Sequence, residues 1–288
     1  MIINENIADI LDWFGPFHLA DIQSSNEKSK QASIPRPMSI RVVQVTDAHL
    51  FRDPDSVLAG VSTWKTFRAV LEQIDRRHGN FDYLILTGDL AQDEELDTYL
   101  LLREALGDWL EHCRIIPGNH DNRANLRQAF PELFPNKDGP LTFALSTGDW
   151  KLIGLDSHLP GEIKGRVDAN QLQWLQDQLR IGPSVQTLLF VHHPPMDINV
   201  GWLDKIGLDG AADLVDLIMA SPQIKAICAG HVHQEFTGQI GAAKMYTTPS
   251  TSVQFGARTG QSFDTSAAGY RTFRLDDGYH TQVHRLSD

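Results

Sequence analysis

Histidine, aspartate and asparagine residues recur along this chain in short fragments, each of which follows an apolar run. The fragments are Asp47-x-His49, Gly88-Asp89, Gly118-Asn119-His120-Asp121, His192-His193 and Gly230-His231-x-His233. In extended backbone, residues i and i+2 project to the same side, so one strand end can present two ligands to one place. Imidazole and carboxylate ligands together suit first-row transition metals such as Fe, Mn, Co or Zn. One fragment alone says little, but five in order predict a metal site.

The elements that must position these side chains are read from hydrophobic periodicity. The strand candidates are IRVVQV, YLILT, CRIIP, KLIGL, TLLFV and IKAIC. Amphipathic stretches predict helices over residues 62–78, 93–110, 168–180 and 209–219, and a hairpin is expected around Asp276-Asp277-Gly278. Alternating strands and helices indicate an α/β domain. Because strand carboxyl ends line the ligand crevice of open α/β sheets, we expect the fragments to converge there.

The amino-acid composition is that of a globular protein, and the net charge limits the kinds of molecule that the chain is expected to bind. The 288 residues are 41% hydrophobic and 22% charged, which allows a sizeable core. The formal net charge of −12 disfavours extended contact with a nucleic-acid backbone, so no nucleic-acid partner is expected. A small anionic substrate is still compatible with this net charge, because the positive charge of a bound metal would attract it locally. Cys113 and Cys228 lie in apolar runs and are expected to be buried thiols.

Residues 1–38 differ from the rest of the chain. An amphipathic patch around Ile7, Leu11 and Phe14 is followed by the polar run QSSNEKSKQAS and by IPRP. We interpret residues 1–38 as a tethered N-terminal extension and residues 39–288 as a single catalytic domain. The features of a signal peptide and an apolar stretch of about 20 residues are missing, so a cytoplasmic protein without membrane contact is expected.

The five fragments read, in order, DAH, GD, GNHD, HHP and GHVH over residues 41–233. They match the signature DxH, GD, GNHD, HxP and GHxH, so the sequence resembles the calcineurin-like metallophosphoesterase superfamily. From about Arg41 to the C-terminus, stretches such as QVTDAHLF, TGDLAQD and TPSTSVQF are similar to the bacterial class III 3′,5′-cyclic-AMP phosphodiesterases. This resemblance implies a four-layer αββα sandwich, with mixed sheets flanked by helices and a metal site at the strand carboxyl ends.

Carried over by position, the resemblance implies two divalent metal ions, Fe²⁺ first and Mn²⁺ as the alternative. The residues implied for one ion are Asp47, His49, Asp89 and His233. Those implied for the second ion are Asp89, which would bridge, with Asn119, His192 and His231. His192 rather than its neighbour His193 is expected to be the ligand. The residues implied to bind substrate are His49, Asp89, Asn119, His120 and His233.

The implied activity is hydrolysis of cyclic AMP to 5′-AMP by in-line attack of a metal-bridging hydroxide, which would lower cellular cyclic AMP. His120, beside Asn119, is placed to protonate the leaving ribose 3′-oxygen, and Asp121 would orient that imidazole or raise its pKa. A supporting or phosphate-binding role for His120 is the alternative. A broader phosphodiesterase or phosphomonoesterase is the second interpretation of the chain, and a non-catalytic binding module on the same fold is the third. The acidic charge disfavours a nuclease, and a homodimer is left open.

Several other residues lie near the motifs without matching them. Phe51, Trp64, Trp202 and Phe255 could stack on adenine or simply fill the core or its rim. The segment Thr248-Pro249-Ser250-Thr251 could bind phosphate or form a turn, and the turn is favoured. No role is assigned to the remaining histidines, which are His18, His78, His112, His158, His280 and His284.

Overall fold

The computed structural model describes residues 39–256 and 262–286. The N-terminal extension predicted over residues 1–38 therefore lies outside the described residues. The strands are β1 (Ile40–Val45), β2 (Val57–Leu58), β3 (Val61–Ser62), β4 (Tyr83–Leu86), β5 (Cys113–Ile115), β6 (Phe143–Thr147), β7 (Trp150–Leu155), β8 (Gln186–Val191), β9 (Ile224–Ala229), β10 (Phe236–Ile240), β11 (Ala243–Thr247), β12 (Gln254–Phe255), β13 (Phe263–Asp264), β14 (Gly269–Leu275) and β15 (Tyr279–Arg285). The helices are α1 (Thr63–His78), α2 (Leu96–Leu106), α3 (Arg123–Ala129), α4 (Ala169–Arg180) and α5 (Ala211–Met219).

Two mixed sheets contain most of these strands. The first has the order β15-β14-β1-β4-β5, in which β1, β4 and β5 are parallel and the β14–β15 hairpin is antiparallel. The second has the order β10-β11-β9-β8-β7-β6, with a parallel centre and an antiparallel strand at each edge. Parallel strands in the middle of both sheets bring their carboxyl ends to one side of the molecule.

Alternating side chains of the central strands enter different cores. On β1, Val43 and Val45 pack with helices α1 to α3, whereas Val42 packs against the second sheet. On β8, Leu189 and Val191 face helices α4 and α5, whereas Leu188 and Phe190 face the first sheet. Both faces of each sheet are thus covered, which explains the continuous apolar runs in the sequence. The expected four-layer αββα sandwich is confirmed.

Most predicted elements are present, but helix boundaries and short elements differ. The helix predicted over residues 93–110 is wrong at both ends, because α2 begins at Leu96 and ends at Leu106. Gly107, at a φ of 49°, starts a separate 3₁₀ helix that ends at His112. The seven-residue helix α3 was not predicted, since it is too short for a clear helical period.

The structure also bears on the predictions made for the two cysteines and for membrane-spanning segments. Cys113 and Cys228 are both buried and free, as expected for structural thiols. Within residues 39–256 and 262–286, no helix has both the length and the apolar character that crossing a bilayer requires.

Candidate metal centre

The predicted ligand residues meet where parallel strands of the two sheets end. Asp47 and His49 follow β1, Asp89 follows β4, and Asn119 lies four residues beyond β5, all from the first sheet. His192 follows β8, and the pair His231 and His233 follows β9, from the second sheet. A hydrogen bond from the His231 backbone N–H to the Asp47 side-chain carboxylate, at 3.0 Å, joins the two sheets at this edge. The side chains are brought together as the sequence predicts.

We define the metal-centre cluster by its carboxylates and imidazoles: Asp47, His49, Asp89, His192, His231 and His233. The Nε2 atom of His233 lies 3.3 Å from Asp47 Oδ1 and 3.0 Å from His49 Nε2. The Nε2 atom of His192 lies 3.5 Å from Asp89 Oδ1 and 3.3 Å from Asn119 Oδ1. Imidazole nitrogens and carboxylate oxygens therefore surround a common space.

The far nitrogen of each imidazole is already hydrogen-bonded. His192 Nδ1 lies 2.7 Å from the Thr87 carbonyl, and His233 Nδ1 lies 2.7 Å from the Val253 carbonyl. A carbonyl only accepts, so each Nδ1 carries a proton, and in the neutral ring the lone pair is on Nε2, which faces the cluster. His231 is reversed: its Nε2 lies 3.0 Å from the Ile206 carbonyl, which leaves Nδ1 free.

The structure distinguishes His192 from its neighbour His193. Both ring nitrogens of His193 are engaged outside the cluster, Nδ1 with Ser157 Oγ at 2.8 Å and Nε2 with the Ile163 carbonyl at 3.0 Å. Burial and the nearby His231 and His192 hold the pKa of His193 well below its ordinary value. His193 therefore supports the site from behind as a neutral ring, and His192 is the member of the pair with a nitrogen facing the cluster.

The backbone is strained at the candidate ligands. Among the described residues, eight that are not glycine have a positive φ, and five of them belong to the metal-centre cluster. They are Asp47, His49, Asp89, His231 and His233, with φ between 47° and 69°. Such conformations are uncommon outside glycine and cost about 1–3 kcal/mol each. The left-handed turn after each strand end directs the side chain into the cluster.

The glycines of the motifs allow this close approach. A Cβ on Gly118 would lie 2.2 Å from Asp89 Oδ1 and 2.4 Å from the Asp89 nitrogen. A Cβ on Gly230 would lie 2.1 Å from Thr46 Oγ1 and 2.7 Å from Asp47 Oδ2. Real Cβ atoms do not approach other atoms so closely, so only glycine fits at these two positions.

The negative charges of the two carboxylates are compensated only in part by the histidines of the cluster. Burial raises the pKa of Asp47, but His233 and His192 outweigh burial and lower it. Burial likewise opposes ionisation of Asp89, and His192 and His120 nevertheless hold its pKa well below the ordinary value. The pKa of His192 is raised to about 9, since Asp89 and Asp47 overcome the effect of burial. Two buried carboxylates thus depend on histidines alone for compensation, and no lysine or arginine belongs to the cluster.

Asp121 does not contact the ring of His120, and the expected orienting contact is wrong. Asp121 Oδ1 accepts hydrogen bonds from the N–H groups of Leu90 and Ala91 and from the Tyr99 hydroxyl, at 3.0–3.3 Å. Asp121 Oδ2 accepts from the Gly118 N–H at 2.8 Å. Burial and Asp89 raise the pKa of Asp121 to about 7, although the N–H groups of Gly118 and Ala91 oppose that shift. Asp121 therefore organises the loops after β4 and β5.

The His120 ring is hydrogen-bonded by Gln92, a residue that sequence reasoning missed. Gln92 Nε2 lies 3.2 Å from His120 Nδ1, and Gln92 Oε1 lies 2.8 Å from His49 Nδ1. Gln92 follows the GD motif by three positions, but nothing in its type or spacing marks it as part of a site.

A cavity of about 240 Å³ opens over the cluster. The five residues predicted to bind substrate all line it, and these are His49, Asp89, Asn119, His120 and His233. Phe255 stacks on the His233 ring with centroids 3.9 Å apart, and Trp202 packs edge-on against Phe255 at 5.2 Å. Trp202 and Phe255 thus form an aromatic wall. Trp64, by contrast, is 2% exposed in the core beneath, and its indole N–H donates to the Phe51 carbonyl.

The segment Thr248–Thr251 supports the centre from below. The Ser250 hydroxyl donates to the Asp47 carbonyl at 2.7 Å, and the Thr251 N–H donates to the Thr46 carbonyl at 3.1 Å. Ser250 and Thr251 are fully buried. The segment therefore holds the strained turn at Asp47 and does not line the cavity.

Comparison with known proteins tests the resemblance inferred from the motifs. Residues 40–235 match the family model described as calcineurin-like phosphoesterase. This chain belongs to the calcineurin-like phosphoesterase family. It is 35% identical to the 3′,5′-cyclic adenosine monophosphate phosphodiesterase CpdA of Escherichia coli (strain K12), over 86% of this chain and 90% of that protein. Identity to CpdA of Pseudomonas aeruginosa is 33%, over 87% of this chain and 91% of that protein.

A solved structure supports the fold of this phosphoesterase. A dimetal phosphatase from Danio rerio aligns with a TM-score of 0.60 at 14% identity, over 86% of this chain and 99% of that chain. The predicted superfamily and the predicted enzyme class, a metal-dependent phosphoesterase, are confirmed at the level of the family. The donor set fits divalent metal: three Nε2 lone pairs, two buried carboxylates and an amide oxygen face one space.

Proposed function

We propose that this phosphoesterase hydrolyses 3′,5′-cyclic AMP to 5′-AMP at a centre of two divalent metal ions. The observation that carries the proposal is the convergence of His49, His192 and His233 Nε2 on the carboxylates of Asp47 and Asp89, within 3.3–4.0 Å. Similarity to proteins named cyclic-AMP phosphodiesterase, over most of both chains, supports the choice of substrate.

Two sets of residues would hold the ions. The first set is Asp47, His49, Asp89 and His233, and the second is Asp89, Asn119, His192 and His231. Three residues of the first set, Asp47, His49 and His233, have ligand atoms within 4.8 Å of one another, which supports that set. Asp89 and His192 of the second set lie within that distance of each other and of Asp47, whereas His231 groups with His192 and His193. When bound, divalent ions would polarise the phosphoester and activate water for in-line attack. Fe²⁺ is the proposed metal and Mn²⁺ the alternative.

His120 is proposed to donate a proton to the leaving ribose 3′-oxygen. Its backbone N–H donates to Asp89 Oδ1 at 2.8 Å, which fixes the residue beside the cluster, and its side chain lines the cavity. An alkoxide is a poor leaving group, so a positioned acid contributes about 10²–10⁴-fold to its expulsion. The aromatic wall of Trp202 and Phe255 offers an apolar face on which a purine can stack.

A phosphodiesterase of broader specificity is the second candidate. The shape of the site supports this candidate, because there is room beside the cavity for a substrate larger than cyclic AMP. The cavity over the cluster shares Asn119, His120 and Ile163 with a second cleft of about 490 Å³. Together they fall in the range of roughly 300–1,000 Å³ that small-molecule sites occupy. A linear diester could therefore place one substituent on each side of His120, whereas a cyclic diester needs only one side.

The test is hydrolysis by the purified full chain. Protein stripped with a chelator is assayed for 5′-AMP from cyclic AMP, then again after addition of Fe²⁺ or Mn²⁺. Asn119→Ala removes a proposed ligand, and Asn125→Ala is the matched control, because the Asn125 amide instead donates to the Glu94 carbonyl at 2.8 Å. We expect metal to restore turnover in the parent and in Asn125→Ala, and Asn119→Ala to remain at least about 100-fold lower.

Other outcomes separate the alternatives. A linear diester hydrolysed as fast as cyclic AMP would favour the broader phosphodiesterase. Two metal ions bound per chain without turnover of any phosphoester would favour the non-catalytic binding module. Failure to bind metal at all would contradict the proposal as a whole.

A further inference from the structure

A separate cavity of about 480 Å³ lies beside the first sheet, between the end of α1 and strands β1, β14 and β15. It shares no lining residue with the cavity over the metal-centre cluster. The described residues that line it include Arg41, His78, Arg274 and His280 but no carboxylate, although the whole chain has a net charge of −12. Its volume falls in the range of roughly 300–1,000 Å³ that small-molecule sites occupy.

The register of the strands aligns three basic residues across this cavity. Arg41 on β1 lies opposite Arg274 on β14, and Arg274 lies opposite His280 on β15. We call these three residues the basic row. They lie on the face of the sheet that also carries Val43, which packs with the helices. Like charges directly opposite each other destabilise a pair of strands, so the two arginines create a demand for an anion.

Carboxylates of the protein meet this demand only in part. Arg41 Nε lies 3.5 Å from Asp82 Oδ2, and Arg274 Nε lies 3.5 Å from Asp276 Oδ2. Exposed ion pairs of this kind contribute little. Within the part of the chain that the structure describes, the terminal Nη atoms of both arginines make no hydrogen bond. The side chains are 40% and 56% exposed, so these donors are accessible to a ligand.

The end of α1 could oppose an anion, because the carbonyls of a last helical turn carry partial negative charge. Here two of those carbonyls already accept hydrogen bonds. The Gly79 N–H donates to the Asp75 carbonyl at 3.1 Å, and the Phe81 N–H donates to the His78 carbonyl at 2.9 Å. The guanidinium groups therefore dominate the charge of the cavity.

We propose that the basic row is a binding site for a phosphate dianion, either free phosphate or the phosphate group of a monoester. The planar fork of a guanidinium matches the spacing of phosphate oxygens, and two forks carry the charge that a dianion balances. The amides of Asn80 and Gln282, which also line the cavity, would contact the organic part of a monoester. The inference is independent of the proposed function, since it uses none of the residues of the metal centre.

The first experiment locates the site by nuclear magnetic resonance of the full chain. A chelator is present so that no metal ion at the centre can capture the probe. Inorganic phosphate and 5′-AMP are titrated separately at constant ionic strength. We expect saturable shifts of the backbone amides of Thr272 and His280, and none at Asn119. Tighter binding of 5′-AMP would identify a monoester, and equal binding would identify phosphate itself.

Two results of the titration would overturn the proposal. One is the absence of any saturable shift at β14 and β15 with either probe up to about 10 mM, which is weaker than small-molecule binding of biological use. The other is a set of shifts centred on Asn119, which would assign phosphate binding to the metal centre.

The second experiment separates a built site from diffuse charge. Arg274→Gln is expected to raise the dissociation constant for the tighter-binding probe about 10-fold or more, since a charged hydrogen-bond donor is lost. Arg274→Lys should have a smaller effect, because lysine keeps the charge without the fork. Arg180→Gln is the matched control, since Arg180 is 69% exposed and pairs with Asp177 at 2.8 Å. Equal weakening in Arg180→Gln would show diffuse attraction and contradict the proposal.

The third experiment excludes a merely structural role for Arg274. In chloride, the denaturant midpoint of Arg274→Gln is expected to equal or exceed that of the parent, because a like-charge contact is removed. Replacing chloride by phosphate at equal ionic strength should raise the midpoint of the parent more than that of the variant. Equal stabilisation of both by phosphate would refute binding at the basic row. Hydrolysis of cyclic AMP enters none of these measurements, so they decide the inference whether or not the proposed function holds.

Discussion

Histidines lie close together in two regions of this phosphoesterase, and the two regions differ in their charge and in their backbone conformation. The metal-centre cluster joins four imidazoles to two carboxylates at the carboxyl ends of the sheets. The second region, which we call the hairpin cluster, consists of His78 at the end of α1, Tyr270 on β14 and His284 on β15. There the His284 ring stacks on Tyr270 with centroids 5.0 Å apart and lies 4.7 Å from His78.

The difference in charge shows what a cluster of histidines needs in order to bind a cation. In the metal centre, Asp89 and Asp47 raise the pKa of His192 to about 9, and histidines lower the pKa values of Asp47 and Asp89, although burial still lowers the pKa of His49 to about 4 and that of His231 to about 3. In the hairpin cluster, burial, His78 and Arg77 all act in the same direction and together lower the pKa of His284 to about 4. The first cluster contains two carboxylates that attract positive charge, and the second, as defined by its three residues, contains none.

The backbone differs in the same way. Five residues of the metal-centre cluster adopt positive φ, whereas His78, Tyr270 and His284 lie in a regular helix and regular strands. Strain of this kind persists only where the surrounding structure enforces it, and Ser250, Gly118 and Gly230 supply that enforcement around Asp47 and Asp89. The comparison shows that histidines close together indicate a metal site only when carboxylates and strained turns accompany them.

The largest expected effect comes from removing the shared carboxylate. Asp89→Ala is expected to lower phosphodiester turnover by at least about 10³-fold, more than the loss of a single stabilising hydrogen-bond donor. It is also expected to lower the number of metal ions bound per chain, measured by elemental analysis. The matched change in the other region, His284→Phe, is expected to leave both quantities within about 3-fold of the parent, in line with substitutions away from a site. Equal loss in the two variants would erase the distinction between the clusters.

A smaller effect is expected from the glycine that packs against Asp89. Gly118→Ala introduces a Cβ 2.2 Å from Asp89 Oδ1, so the ligand must move. We expect a loss of about 1–3 kcal/mol in the free energy of unfolding, typical of overpacking, together with reduced turnover. Gly278→Ala, in the turn of the β14–β15 hairpin, meets no atom within 4 Å and should change stability by less than about 0.5 kcal/mol. Denaturant unfolding measures both, and a stable, active Gly118→Ala variant would refute the packing argument.

The sequence predicts the layers and the ligand types because both depend on local pattern. Continuous apolar runs identified β1, β4, β8 and β9, and the residues just beyond them proved to share one space. Short elements such as α3 escaped prediction, since seven residues contain too little periodicity. The contacts of Asp121 and Gln92 also escaped, because adjacency in sequence suggested that Asp121 faces His120, whereas the loop geometry turns it toward Gly118 and Tyr99. The direction of a side chain at a strained turn depends on the tertiary structure around it, so local sequence does not predict it.

The smallest expected effect concerns acid and the hairpin cluster. The pKa of His284 is about 4 in the folded chain and ordinarily 6.5, so the unfolded chain binds more protons between these values. The stability that neutral His284 contributes is therefore complete above pH 6.5 and is lost as pH falls from 6.5 toward 4. His284→Phe keeps a ring to stack on Tyr270, removes the titration and loses the 2.9 Å contact with Thr272 Oγ1.

Unfolding of the metal-free parent and of His284→Phe should be compared at pH 7.5 and pH 4.5. Because His284 is partly exposed and solvent screens its charge, we expect the parent to lose only about 1 kcal/mol more than the variant over this interval. Other groups that titrate, including the rings of the metal-centre cluster, are present in both proteins and cancel in the difference. A variant that loses as much stability as the parent would show that His284 is already charged in the folded chain. The hairpin cluster would then resemble the metal centre in tolerating a buried cation, and the contrast in charge between the two regions would fail.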